Sequence, residues 1–331
     1  MKRLKLKSLL FSLALLASFL CGDFSVLAKT EPSTRLQVTN AGRYSYRTLP
    51  SVEKEVSTFE ENQQAWYLIV TKNFAVEIEN NETFGVKTAE LLEGFRLFFI
   101  QEMKIPEFMM LGGKLGVKIF KGSGHYHAYC EANNITCEQT IGVSHVSGNS
   151  YTKRHKWSAQ RQILFFWDKD WRKFWDLRQI ETSKRRYYSV LFHEATHQLL
   201  DAYTEHGGPR WLEEGLAGYF ENAMFDGKEI FLPKQMEISH GVSVRLFLDA
   251  KGDPRDVFFW GGRNPLSESA NYRLAASFVT LLMRNKPYRP YLDRAVAEAK
   301  KGSPDSEISQ SILDIKDEKM WALWNDSLKK L

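Results

Sequence analysis

An α+β fold is the expectation for this chain, and three observations lead to it. Apolar residues alternate with period two in several short runs between residues 66 and 167. After about residue 170 the apolar period is helical. The exception in the first part is one long helical pattern at 84–103. The composition agrees: 331 residues with 43% hydrophobic and 26% charged side chains leave room for a sizeable core. They exclude a disordered, collagen-like or multi-span membrane chain.

The elements follow in order. Residues 66–70 form an apolar run, and Phe74, Val76 and Ile78 alternate with Ala75 and Glu77, so two strands are expected there. Leu91, Leu92, Phe95, Phe98 and Phe99 recur at helical spacing up to Pro106, which stops the helix. Leu115, Val117 and Ile119 alternate with Lys114, Gly116 and Lys118, and 141–146 and 162–167 are further strands. Residues 122–127 read as a loop. Helices are expected at 184–203, 209–222, 270–286, 287–301, 305–313 and 317–330. A polar, poorly periodic lead-in at 29–60 precedes a sheet lobe at 61–204 and a mostly helical lobe at 205–331.

The first 28 residues read as an export signal. Lys2, Arg3, Lys5 and Lys7 form a positive start, 9–20 is almost wholly apolar, and Val26-Leu27-Ala28 suits cleavage before Lys29. The apolar run is shorter than the roughly 20 residues of a spanning helix. Lipidation at Cys21 fits less well, because Leu20 is not small. The full chain carries a net charge of +5 from 45 basic and 40 acidic residues. Without the signal, 41 and 39 remain, so the hint of a nucleic-acid partner fades. The expected location is periplasmic or secreted, with no transmembrane span after signal removal. There, the two remaining cysteines, Cys130 and Cys137, suit a disulfide across a short loop.

The chemistry concentrates in 187–222. Residues 187–203 lack Pro and Gly, so a helix forms easily. His193 and His197 are four apart, which puts both imidazoles on one face at the spacing two ligands of one zinc ion need. Glu194 follows His193, where it can reach water activated at the metal without ligating the metal. A catalytic zinc takes a third protein ligand. After His206-Gly207-Gly208-Pro209, a second helix beginning near Arg210 offers Glu213 and Glu214, about 100° apart around its axis. Its apolar positions, Leu216, Ala217 and Phe220, leave both glutamates open. Asp201, four residues beyond His197, is a candidate to orient that imidazole, and His206 is a minor ligand candidate.

His193-Glu194-Ala195-Thr196-His197 followed by Trp211-Leu212-Glu213-Glu214-Gly215-Leu216-Ala217 resembles the gluzincin metallopeptidases. The likeness is nearest to the secreted bacterial peptidase-like proteins of unassigned function in that clan. It implies a zincin-like fold, with a mixed sheet and a helix ahead of the zinc helix. It also implies Glu214 as third ligand, because the family's ligand is the Glu before Gly. The specific match covers about 187–222. A metzincin is excluded, since Leu200 and Tyr203 stand where that class needs Gly and His.

The expected function is a secreted peptidase holding one zinc ion per chain on His193, His197 and Glu214, with Glu194 as general base. Its partner would be a peptide or protein substrate. The alternative is a catalytically inactive, zinc-stabilised binding protein of the cell envelope. Family members often supply an oxyanion donor from a later helix, and Tyr272 is the candidate here, ahead of Tyr219 and His206. An extended substrate would lie along an exposed strand, for which 141–146 is the choice. His125 and His127 make a weak His-x-His pair. The basic stretches at 153–156 and 184–186, with Trp167, Trp171 and Trp175 between, are interleaved with acids and read as a solvated face.

Overall fold

The computed structural model describes residues 43–107, 114–137, 142–145, 162–166, 180–205, 207–234, 242–249, 251–260 and 266–329. The N-terminal segment expected to be an export signal, Cys21, His206, the basic stretch at 153–156 and Trp167, Trp171 and Trp175 lie outside them. Residues 42–331 form one compact unit.

The strands are β1 (Arg43–Thr48), β2 (Glu55–Glu61), β3 (Gln64–Val70), β4 (Phe74–Glu79), β5 (Leu115–Phe120), β6 (Gly142–His145), β7 (Gln162–Phe166), β8 (Met224–Phe225) and β9 (Glu229–Pro233). The helices are α1 (Glu82–Met103), α2 (Ser123–Ala132), α3 (Ile180–Thr204), α4 (Arg210–Phe220), α5 (Val242–Asp249), α6 (Glu268–Arg284), α7 (Arg289–Lys300), α8 (Asp305–Leu313) and α9 (Glu318–Leu328). A 3₁₀ helix spans Pro254–Phe259. The chain is therefore α+β, with a strand-rich first part and a helical second part.

Six strands form one sheet in the order β2-β3-β4-β5-β7-β6. The hairpins β2–β3 and β3–β4 are antiparallel, β4–β5 and β5–β7 are parallel, and β6 returns antiparallel on β7. The α1 crossover between β4 and β5 is what parallel pairing demands. Side chains alternate across the sheet. Val76, Ile78, Val117, Ile119, Ile163 and Phe165 enter the main core with α1 and α3. Trp66, Phe120, Leu164 and Phe166 point to the other face, where they pack with Tyr126, Cys130 and Cys137 of the α2 region.

Several features were not legible as expected. The lead-in holds two strands rather than featureless chain. β1 pairs antiparallel with β9, and Leu49 seats its Cδ2 where a Cβ on Gly94 would stand 2.2 Å away. Residues 123–132 are helical, not a loop, and Cys130 and Cys137 are joined by a disulfide that ties the helix to the chain after it. The helical part also contains a small sheet, β1-β9-β8. Among the described residues, no helix is long and apolar enough to cross a membrane.

One aromatic cluster sets the register of the site. Phe95 of α1 stacks on Phe192 with centroids 4.4 Å apart and meets Phe220 edge-on at 5.8 Å. Those two residues immediately precede His193 and Glu221. Such rings contribute about 0.5–1.5 kcal/mol per pair beyond simple burial. Tyr187 and Thr88 add an α3–α1 hydrogen bond at 2.8 Å, and Gln198 Nε2 donates to Gly116 O of β5 at 2.9 Å.

Candidate metal centre

α3 and α4 bring three ligand atoms together. His193 Nε2 and His197 Nε2 are 3.3 Å apart, and Glu214 Oε2 lies 3.4 Å from the first and 3.3 Å from the second. Among the described residues this is the one group of three or more His, Cys, Asp or Glu side chains with convergent ligand atoms. Atoms held about 2.0–2.1 Å from a common centre at the tetrahedral angle stand about 3.3–3.4 Å apart. The triangle thus has the edge length of a zinc ligand set, and its two imidazoles and carboxylate are a zinc-type donor set. The residues fit the metal.

The electrostatics tell the same story. Three lone-pair-bearing atoms this close repel unless a proton or a cation sits among them. Burial works against the charged form of His193, but Glu214 and Glu221 outweigh it and raise its pKa well above 6.5. Burial works against the Glu214 carboxylate too, yet hydrogen bonds from His193 and His197 hold it far below its ordinary 4.5.

The two glutamates that the helix pattern left open part company here. Glu214 points at the imidazoles. Glu213 Oε1 turns back to accept the Gly208 N–H at 3.0 Å, closing the turn into α4. Gly215 and Gly218 then let α4 lie directly on α6. A Cβ on Gly215 would stand 2.5 Å from Val279 Cγ2 and 2.9 Å from the Ala275 carbonyl oxygen, and one on Gly218 2.6 Å from Ala276 Cβ. That approach brings Tyr272, in the first turns of α6, to the same cavity as His193 and Glu214. The cavity measures about 380 Å³ and is lined also by Glu221, Asn222 and Arg273.

Glu221 is the residue that sequence reasoning passed over. Its Oε2 accepts from His193 Nδ1 at 3.1 Å, which fixes the tautomer with Nε2 toward the metal position. The signal was present: Glu221 lies seven residues, two helical turns, after Glu214 and so on the same side. Asp201 does not take the corresponding role. His197 Nδ1 is buried without a hydrogen-bond partner among the described residues. Tyr219, also a candidate donor by sequence, is fully buried in the core. Glu194 is half-buried on α3 and acts on His193 through its charge, but it does not line the cavity.

Among the described residues, His125 and His127 belong to no convergent group of metal ligands. His125 Nδ1 lies 2.7 and 2.9 Å from the two carboxylate oxygens of Glu79, and His127 packs on Tyr126 and Phe166. β6 is an edge strand, paired with β7 on one side, and α3 packs against it.

No family model matches the chain, and no curated protein matches it.

Proposed function

We propose that this chain is a zinc-dependent peptidase of zincin-like fold, acting outside the cytoplasm. The observation that carries the reading is the triangle of His193 Nε2, His197 Nε2 and Glu214 Oε2, with edges of 3.3–3.4 Å, built on a His-Glu-x-x-His helix. The resemblance to gluzincins in 187–222 and the export-type N-terminus support it.

Zinc held by His193, His197 and Glu214 would supply a Lewis acid that polarises a scissile carbonyl and acidifies water. Glu194 takes a proton from the attacking water and passes it to the leaving amine. Tyr272, across α4 on α6, donates a hydrogen bond to the developing oxyanion. Base and donor must flank the reacting carbonyl from different sides. Glu221 holds the His193 ring against rotation. The outer edge of β6, which pairs with no strand among the described residues, offers main-chain groups to an extended peptide.

A second reading, a zinc-stabilised binding protein without turnover, is favoured by one observation: Glu194 does not line the cavity beside His193 and Glu214. One experiment separates the two. The purified chain is assayed for bound zinc and then for cleavage of an unbiased peptide library, with and without a chelator. The peptidase reading expects about one zinc per chain and chelator-sensitive cleavage that Glu194→Gln abolishes while zinc is retained. Zinc without cleavage would establish the binder. Cleavage that survives Glu194→Gln would overturn the mechanism.

A further inference from the structure

Arg210 opens α4, one helical turn before Glu214 and on the same side. Its guanidinium is held from three directions. It lies over the Trp260 ring at 4.7 Å, pairs with Glu268 at 3.3 Å and sets its positive charge beside the Tyr272 hydroxyl. Tyr272 in turn meets the Trp260 ring edge-on, with centroids 4.9 Å apart. Trp260 ends the 3₁₀ helix and Glu268 begins α6, so α4 and the 3₁₀ helix both meet α6 beside this phenol.

The donor chemistry gives this arrangement a direction. Guanidinium has donors only and accepts nothing. Beside that positive charge, the Tyr272 oxygen turns its lone pairs toward Arg210, and its proton points away toward another partner. That phenol stands in the wall of the cavity that His193 and Glu214 share.

We propose that Arg210 is a positioning residue for Tyr272, locking the phenol against Trp260 so that its hydroxyl proton is presented to the substrate's carbonyl oxygen. This rests on the peptidase reading. The hydrogen bond strengthens as the carbonyl oxygen gains negative charge, and the fixed positive charge behind the phenol favours that change. No proton is transferred to Arg210 and no bond to it forms.

The test is a double-mutant cycle on the full zinc-loaded chain with a peptide it cleaves. Tyr272→Phe, which keeps the ring on Trp260, should lower kcat about 10²-fold with KM little changed. Arg210→Ala should lower kcat about 10-fold or more, and Arg210→Lys should rescue only part of this because it cannot both stack and donate in one plane. The double variant should be no slower than Tyr272→Phe alone. Penalties that multiply would overturn the proposal. A second readout needs no turnover: NMR of the chain labelled with ¹³Cζ-tyrosine, with the Tyr272 signal identified by its loss in Tyr272→Phe. That signal should shift in Arg210→Ala and stay in place in Arg294→Ala. An unmoved signal in correctly folded Arg210→Ala would sink the proposal whatever the activity. A zinc-loaded parent that cleaves nothing would sink the peptidase reading instead.

Discussion

The two faces of the six-stranded sheet both bury acidic and basic side chains, and they do so to opposite ends. On the α2 face, Lys118 is almost fully buried between Glu77 at 3.0 Å and Glu61 at 2.7 Å, over the Trp66 ring at 4.1 Å. Burial works against its charge, but the two carboxylates hold the ammonium above its usual range. Beside it, buried Glu79 is met by His125 and by the Lys121 N–H at 3.0 Å. Among the described residues, the buried carboxylates of Glu77 and Glu79 there both meet donors from the chain. On the α3 face, His193, His197 and Glu214 bring three ligand atoms to within 3.3–3.4 Å of one another. Burial and charge are common to both faces. The convergence of ligand atoms distinguishes the candidate metal site from the ion-paired cluster around Lys118.

Four experiments sharpen or break that contrast. The largest effect is expected at the ligands: His197→Ala and Glu214→Ala should reduce bound zinc from about one per chain to near zero by metal analysis, while Glu213→Ala keeps it. Zinc retained by Glu214→Ala and lost by Glu213→Ala would reverse the ligand assignment. Next is Lys118→Met, which leaves two carboxylates without their cation. It should cost about 3–5 kcal/mol in denaturant unfolding and leave zinc content untouched. A parallel loss of zinc would mean that the two faces are not independent.

Glu221→Gln should weaken zinc about 10- to 100-fold in a competition with a chromogenic chelator, since the His193 ring loses its charged anchor. Unchanged affinity would reduce Glu221 to a surface acid. The smallest effect is a pH dependence of the metal-free chain. His193 is raised above 6.5 in the fold, so its contribution is complete below 6.5 and is lost as pH climbs through the raised value. Glu214 is lowered from 4.5, so its contribution is present above 4.5 and is lost as pH falls toward the lowered value. The stability gap between parent and a His193→Ala variant, both metal-free, should therefore be widest between 4.5 and 6.5 and narrow on the alkaline side. Zinc should bind more weakly as pH falls, because metal and proton compete for the same imidazole. A gap that widens steadily with rising pH would contradict the assignment.

Much of the fold could be read from residue order because its elements have clean periods. The alternation of Val117 and Ile119 with Lys118 announced β5, and the Phe95–Phe98–Phe99 spacing announced α1. The α2 helix escaped because its stretch, Ser123–Ala132, has few apolar positions and buries only Tyr126 and Cys130. β1 escaped because its partner, β9, is more than 180 residues away, and no local period records such a pairing. At the site, the four-residue spacing of His193 and His197 is a local property and was readable. Glu221 was readable in principle by its spacing from Glu214, but nothing along the chain said that α4 would turn that side toward His193.

Sequence by itself determined the helix that carries both imidazoles, the pair of glutamates that could complete the set, and the disulfide-capable cysteine pair. These depend on spacings of a few residues, which a helix or short loop converts directly into distance. Only the tertiary structure decided the rest. It sent Glu214 to the imidazoles and Glu213 back to Gly208, put Glu221 behind His193, and brought Arg210 and Trp260 to Tyr272. Those outcomes depend on how closely α4 lies on α6 and how Phe95 keys α3 and α4 together. Such approaches are set by close packing of side chains far apart in the chain, and no short-range pattern encodes them.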